Sequence, residues 1–380
     1  MIKTPAYVFD IDQLKKRIEV IRKEISGLPL TFSVKANSFI TSTVSEMVSH
    51  VEVCSPGELD ICKRLQINPE QIIYSGVMKE EEDIREAIRY CTHILTAESK
   101  NQFKLISFLA AKEDKDVNVL LRISSDNQFG MDPEDICSIV CNREKYPNIC
   151  LYGFHYYSGT QKKQLKQIEA DIQRMMGVIE KCRNEYGYKP ELVEYGPGLG
   201  VEYFKENGEE IDLELMKTAA PALMDLAGKV PLGIEMGRFI IAGCGIYYTK
   251  VKDIKNNYGI QYAILDGGSH QLKYHGQMMA MQTPVIVQQE CREGERQKYQ
   301  LCGSLCTVAD VLAKDVELDE LRIGDVLEFH RCGAYSVTEA PGLFLSRDLP
   351  YIYLRENGKD QLIRDFKRSS EFNTPDFQLR

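Results

Sequence analysis

Short runs of apolar, β-branched and aromatic residues recur along the first two thirds of the chain: Leu30–Val34, Val51–Cys54, Ile72–Tyr74, His93–Thr96, Val117–Ile123, Leu151–Tyr157, Leu192–Tyr195 and Leu232–Glu235. Runs this short and this continuous predict strands covered on both faces. The segments between them leave room for a helix, and Ser55–Arg64 and Gln161–Glu185 show apolar residues returning at helical spacing. Strand followed by helix, repeated through all of these runs, predicts an α/β fold, a (β/α)8 barrel over residues 11–240. Barrels of this kind place their chemistry at the C-terminal ends of the strands.

Beyond about Ile240 the pattern changes to hairpin-like strands without long helices: Gly245–Val251, Ile260–Leu265, Thr283–Gln289, Lys298–Cys302 and Asp325–Phe329. These predict a second, all-β domain over residues 241–380. The run Pro5–Phe9 precedes the first barrel strand, so residues 1–10 are expected to pair into that second domain. Cys291–Gln297 reads as a charged hairpin tip, and the polar tail Arg355–Arg380 is expected to be mobile at its end.

Composition narrows the function. At 380 residues with 43% hydrophobic content, the chain can bury a large core. Lys and Arg number 47 against 56 Asp and Glu, a net charge of −9 without long single-sign runs, which argues against a nucleic-acid surface. The 12 cysteines are scattered rather than paired closely, and the start MIKTPAYVFDID has no apolar export segment, so a reduced, cytoplasmic setting is expected. No CxxC pair lies near histidine at metal spacing and no apolar run is long enough to span a bilayer, so neither a metal site nor a membrane segment is expected.

Lys35 follows the first barrel strand in Thr31-Phe32-Ser33-Val34-Lys35-Ala36-Asn37, where partial desolvation would favour a nucleophilic amine. On position alone it reads more readily as a surface lysine at a strand terminus. Gly196-Pro197-Gly198-Leu199-Gly200, after a late strand, can present backbone N–H groups to a phosphate. Glu235-Met236-Gly237-Arg238 closes the eighth strand with a carboxylate and a guanidinium, which suit a pyridinium nitrogen and a phosphate, or else one another as an internal ion pair.

In this order the segments TPAYVFD, SVKAN, VEVCSPGEL, QFGMD, GFHYYSGTQ, YGPGLG, EMGRFI, LDGG, CGSLCTVADVLA and GDVLEFHRCGAY resemble the fold type III decarboxylases that use pyridoxal 5'-phosphate (PLP), the group of diaminopimelate, ornithine and arginine decarboxylases related to alanine racemase. The resemblance runs through nearly the whole chain. It implies Lys35 as the Schiff-base lysine, Glu235 as partner of the pyridinium nitrogen, and Gly198, Gly237 and Arg238 around the phosphate, joined by Tyr335. Arg122 would order the cofactor side of the pocket. Aligned without gaps to the family's GxHxHxGSQ, the segment Gly153–Gln161 puts His155 at the first histidine, Tyr157 at the ring-stacking one and Thr160 at the phosphate-binding serine; either His155 or Tyr157 then covers the ring. Cys306 falls where the family carries the cysteine that returns a proton after CO₂ departs. Cys306 and Tyr335 belong, in the family, to the partner subunit's share of each site, which implies a homodimer with composite sites.

Two departures bear on the substrate. Thr307 stands where diaminopimelate enzymes carry glutamate and ornithine-type enzymes aspartate, and Tyr274, beside Lys273, stands at the place of the diaminopimelate enzymes' carboxylate-gripping arginine. Together with Asp266 and Asp310 these residues mark the expected substrate side. The pattern is similar to the branch that decarboxylates amino acids tethered to an acyl-carrier protein or a siderophore-type conjugate, with diaminopimelate or diamine-forming decarboxylation as the alternative. A racemase on the same scaffold would not need Cys306, and a small cofactor-binding barrel would lack the second domain.

Overall fold

A computed structural model describes residues 2–375. Eight parallel strands close into a barrel: β2 (Leu30–Ser33), β3 (His50–Val53), β4 (Ile72–Tyr74), β5 (Ile94–Ala97), β6 (Val117–Arg122), β7 (Ile149–Tyr157), β8 (Leu192–Gly196) and β9 (Leu232–Met236), preceded in the chain by β1 (Ala6–Asp10). The return of β9 to β2 aligns Thr31 with Glu235 and seals the cylinder. Ile73, Ile94, Leu120 and Leu192 cluster as one buried layer, with Tyr152 packed against them. Each such side chain contributes roughly 1.5–3 kcal/mol by leaving water, so the barrel has a packed centre rather than a pore.

Helices return each strand to the next, and several start on side-chain caps: Ser55 Oγ accepts from the Glu58 N–H, Ser99 Oγ from Gln102, and an Asp132 carboxylate oxygen from Asp135. Each cap satisfies one N–H that the first turn leaves over. The expected helices Ser55–Arg64 and Gln161–Glu185 are realised as Pro56–Arg64 and Leu165–Tyr186.

The remaining chain forms a mostly β domain. Its sheet runs β14 (Val311–Leu318), β13 (Gln297–Cys302), β11 (Ile260–Leu265), β10 (Gly245–Asn257), β1, β16 (Tyr351–Glu356) and β17 (Lys359–Arg364), while β15 (Val326–His330) pairs with both β10 and β12 (Ile286–Gln288). β1 lies antiparallel to β10 and parallel to β16, so the start of the chain is built into this sheet. By compactness, Ile18–Gly200 with Asp212–Ile240 make one unit, and the described residues up to Arg17, Val201–Ile211 and those from Ile241 onward make the other.

One local expectation is corrected. Cys291–Gln297 is not a hairpin tip: β12 pairs with β15 whereas β13 pairs with β11 and β14, so the segment crosses between ladders. The polar tail begins in order, with Glu356 and Lys359 as the innermost pair of the antiparallel ladder between β16 and β17. Its expected mobile end falls on 376–380, outside the described residues.

Candidate active site

Strand β2 ends at Ser33, one residue before the apolar run does, and the chain turns through a short 3-10 segment, Val34–Ala36, that carries Lys35. Lys35 Nζ lies 2.9 Å from Glu52 Oε2, 3.4 Å from Cys54 Sγ and 4.0 Å from Glu235 Oε1. Glu52 is supplied by the neighbouring strand in register with Ser33. Burial, with Glu52 next, pushes the Cys54 thiol well above its ordinary range despite the opposing pull of Lys35, which leaves a neutral sulfur beside the amine.

Glu235 is 6% exposed and accepts hydrogen bonds from His155 Nε2 and Ser33 Oγ, each at 2.9 Å. Burial by itself raises a carboxyl group's pKa. Here the hydrogen bond from His155, the charge of Lys35 and the bond from Ser33 outweigh it and hold Glu235 well below the usual carboxylate range. Glu52, His155 and Glu235 bring ligand atoms within 4.8 Å of one another. A cation is already supplied there by the side chain of Lys35.

Glu194 projects from β8 in register with His155 and is 1% exposed, and among the described residues neither carboxylate oxygen has a hydrogen-bond partner. Burial is the main cause that pushes its pKa up to about 8, with the charges of Glu235 and Glu52 adding to it and Thr31 opposing. The barrel interior therefore holds two acids of opposite character: one kept charged by its donors and one kept protonated by their absence.

Arg122, 7% exposed at the end of β6, is paired through Nη1 with Glu98 Oε1 at 2.6 Å and lies over the Phe129 ring at 4.6 Å. The turns after β7, β8 and β9 converge: Arg238 Nε donates to Thr160 Oγ1 at 3.3 Å, and Gly198 has φ +63° with its Cα facing the Gly159 carbonyl. A Cβ on Gly198 would stand 1.9 Å from that oxygen, and one on Gly237 2.9 Å from Ala36 Cβ, so only glycine lets these turns close up. Tyr157 is half-buried in the same region, near Thr160, Lys35 and Arg238, and burial raises its pKa.

The remaining expected residues lie in the β-rich domain. Cys306 and Thr307 are exposed on the turn between β13 and β14. Asp310, 3% exposed, spends its carboxylate on the N–H groups of Ser269 and Leu305, at 2.7 and 2.8 Å, and so shapes the loop that presents them. Asp266 is likewise engaged by Thr4, Thr249 and the Lys250 N–H. Tyr274 is buried, its hydroxyl donating to the His330 carbonyl at 2.7 Å and its ring packed beside Tyr203 and Phe204. Tyr335 is half-buried with φ +63°, and its carbonyl accepts from Thr338 and Glu339. These contacts give Asp266, Asp310 and Tyr274 structural duties that the sequence pattern does not reveal.

The barrel's donor set fits PLP. There is an amine for the aldehyde, a carboxylate held charged for the ring nitrogen, and a hydroxyl, a guanidinium and a tight glycine turn for the phosphate. His155 Nδ1 and Arg122 Nε are also buried without a hydrogen-bond partner among the described residues. Residues 11–242 match the family model of the pyridoxal-binding domain of pyridoxal-dependent decarboxylases. The chain belongs to this family.

As a member it is a PLP-dependent decarboxylase of an amino-acid substrate. It is 28% identical to the L-glutamyl-[BtrI acyl-carrier protein] decarboxylase of Niallia circulans, over 95% of this chain and 91% of that protein. It is 29% identical to the 2-[(L-alanin-3-ylcarbamoyl)methyl]-2-hydroxybutanedioate decarboxylase of Staphylococcus aureus, over 93% and 95%. Diaminopimelate decarboxylase of Aquifex aeolicus is 25% identical over 95% and 89%. The crystal structure of diaminopimelate decarboxylase from Methanocaldococcus jannaschii shares the fold, with a TM-score of 0.86 over 99% of this chain and 92% of that one at 23% identity. Among the described residues no helix is long and apolar enough to cross a membrane.

Proposed function

We propose that this decarboxylase removes the α-carboxylate of an amino acid carried on a larger conjugate, either an acyl-carrier protein or a hydroxy-carboxylate of the siderophore type. The observation that carries the reading is the uncharged distal side: Thr307 offers no carboxylate to a distal ammonium, and the hydroxyl of Tyr274 is tied to a backbone carbonyl. A free diamino acid would leave its far charge unpaired against such a surface. The relatives that act on a carrier-linked glutamyl group and on a carbamoyl-linked alanine support it, at 28% and 29% identity. Diaminopimelate is the second reading, favoured by the 25% identical relative over a similar share of the chain.

In this proposal Lys35 holds the cofactor's aldehyde carbon, and Glu235, kept charged by His155 and Ser33, keeps a proton on the ring nitrogen. Because His155 Nε2 is committed to Glu235, Tyr157 is assigned to the open face of the ring. Thr160, Arg238, Gly198 and Gly237 would hold the phosphate, joined by Tyr335 of the partner subunit as the family resemblance implies, and Arg122 would order the side of the pocket. Bound PLP supplies the electron sink for the pair released when the carbon–carboxylate bond breaks. Cys306 of the partner subunit would supply the proton that replaces the lost carboxylate. Asp310 and Asp266 hold the loops that present Cys306 and Thr307 to the substrate.

The enzyme is proposed to act as a cytoplasmic homodimer whose partner covers the Cys306 turn. Val308, in that turn, is 90% exposed, and Met278, Met281 and Phe344 are exposed in the same domain, apolar side chains that a partner's surface would cover. The deciding experiment is CO₂ release from a panel of diaminopimelate, lysine, ornithine, a glutamyl-carrier protein and a 2,3-diaminopropionyl hydroxy-carboxylate. Turnover of a conjugate with kcat/KM well above every free diamino acid supports the proposal; preference for diaminopimelate replaces it with the second reading.

A further inference from the structure

The turn after β7, from Ser158 to Lys162, carries Thr160, yet its anchor lies on the outer side of the barrel wall. Asp171, in helix Leu165–Tyr186 and 7% exposed, accepts hydrogen bonds from Ser158 Oγ at 2.8 Å, Tyr195 OH at 3.1 Å and Tyr156 OH at 3.5 Å, and forms an ion pair with Lys162 Nζ. Tyr156 and Tyr195 alternate along their strands with the inward-facing His155 and Glu194, so they face the helix, side by side with ring centroids 6.2 Å apart. A carboxylate this deeply buried is tolerated when donors surround it.

The same turn is stitched to the glycine turn after β8. The Lys162 N–H donates to the Gly198 carbonyl at 2.9 Å, and the Gly200 N–H donates to the Lys162 carbonyl at 2.8 Å. Lys162 is thus held at both ends, its ammonium on Asp171 and its backbone on Gly198 and Gly200. The ammonium is spent outside the barrel, which removes it as a phosphate ligand and makes it a brace.

We propose that Asp171 is a positioning residue for the phosphate end of the cofactor: through Ser158 and Lys162 it fixes the spacing between the Gly159–Thr160 and Gly198–Leu199 turns. This rests on the phosphate assignment made under the proposed function. The turns supply a hydroxyl and backbone groups whose usefulness to a phosphate depends on sub-ångström placement, while Lys35 binds the aldehyde independently of them. Loss of the brace therefore weakens recognition of the phosphate and spares the amine chemistry.

The test measures binding of PLP, and of pyridoxal without its phosphate, to the apoprotein by absorbance titration, in wild type, Asp171→Asn and the Lys162→Met/Asp171→Asn pair. The double variant removes any new attraction from a released ammonium. Both are expected to raise the PLP dissociation constant by ~10-fold or more, to move that for pyridoxal less than about twofold, and to leave kcat at saturating PLP near wild type. Thermal protection of the apoprotein by inorganic phosphate is expected to fall in step. Equal weakening of both ligands, or weakening of neither, overturns the inference while leaving the cofactor assignment intact. A wild-type protein that binds neither ligand overturns that assignment and the inference with it. If Asp171→Asn does not fold, Tyr195→Phe deletes one hydrogen bond from the same carboxylate and is expected to shift PLP affinity alone by roughly threefold; no selective shift in that variant counts against the brace.

Discussion

His155 donates through Nε2 to Glu235 Oε2 at 2.9 Å, and both residues are almost fully buried inside the barrel. The pair decides the charge of the acid proposed to face the cofactor's ring. Burial pushes the Glu235 carboxyl up, and the bond from His155, the charge of Lys35 and the bond from Ser33 bring it below its ordinary value. His155→Ala removes the leading stabiliser. The variant is expected to lose ~10- to 100-fold in kcat near neutral pH, and the acid limb of its pH profile should move upward, since Glu235 then protonates at higher pH. A kcat profile unchanged in position would separate His155 from the ring nitrogen.

Glu194 gives a pH dependence of opposite sign to the usual carboxylate. Its folded value of about 8 lies above the ordinary 4.5. Between those limits the unfolded chain releases a proton that the folded chain keeps, so stability is full below the ordinary value and is lost as pH rises towards 8, with a slope of up to ~1.4 kcal/mol per pH unit. Denaturant midpoints of wild type and Glu194→Gln across this interval check it. The glutamine variant should flatten the dependence contributed by this site.

Lys35→Ala should abolish the visible band near ~420 nm of the PLP-loaded protein and the attachment of cofactor by borohydride. Peptide mapping after reduction of the wild type locates the label. A label on another lysine would overturn the assignment of Lys35.

Cys306→Ala should slow product formation by ~10²-fold, because a general acid is lost, while the cofactor spectrum stays as in wild type. A Thr307→Glu variant tests the distal side separately. It should raise relative activity on free diamino acids by about tenfold against a conjugate, since the new carboxylate offers the distal ammonium a partner; competition assays with paired substrates give that ratio.

The barrel strands are legible in the sequence because both faces of each are covered, which forces continuous apolar runs such as Ile72–Tyr74. Strands β16 and β17 are not, since β17 is exposed at every residue but Arg364 and owes its place to backbone pairing with β16. Lys35, His155, Thr160, Glu235 and Arg238 were visible through their motifs, and the structure brings them together in the barrel. Glu52, Glu98, Glu194 and Asp171 were missed. For Glu52 and Glu194 a signal existed: an acid inside an otherwise apolar strand, in HVEV and LVEY. For Asp171 none did, because its donors come from two strands and a turn that only the folded chain assembles. Similarly, the quiet duties of Asp310 and Tyr274 depend on backbone groups, which carry no side-chain pattern.

The first strand has a bearing on how the molecule is made. Ala6 aligns with Tyr248 and Tyr351, so β1 leaves the ribosome long before either neighbour exists. The barrel's own strands are all complete by Met236, whereas β1 must remain an unpaired edge until β10 and β16 have been made. Fusions or truncations at the N-terminus should consequently disturb the late-forming sheet rather than the early-forming barrel, and a nascent chain stalled after β9 would expose β1 to chaperones or to other copies of itself.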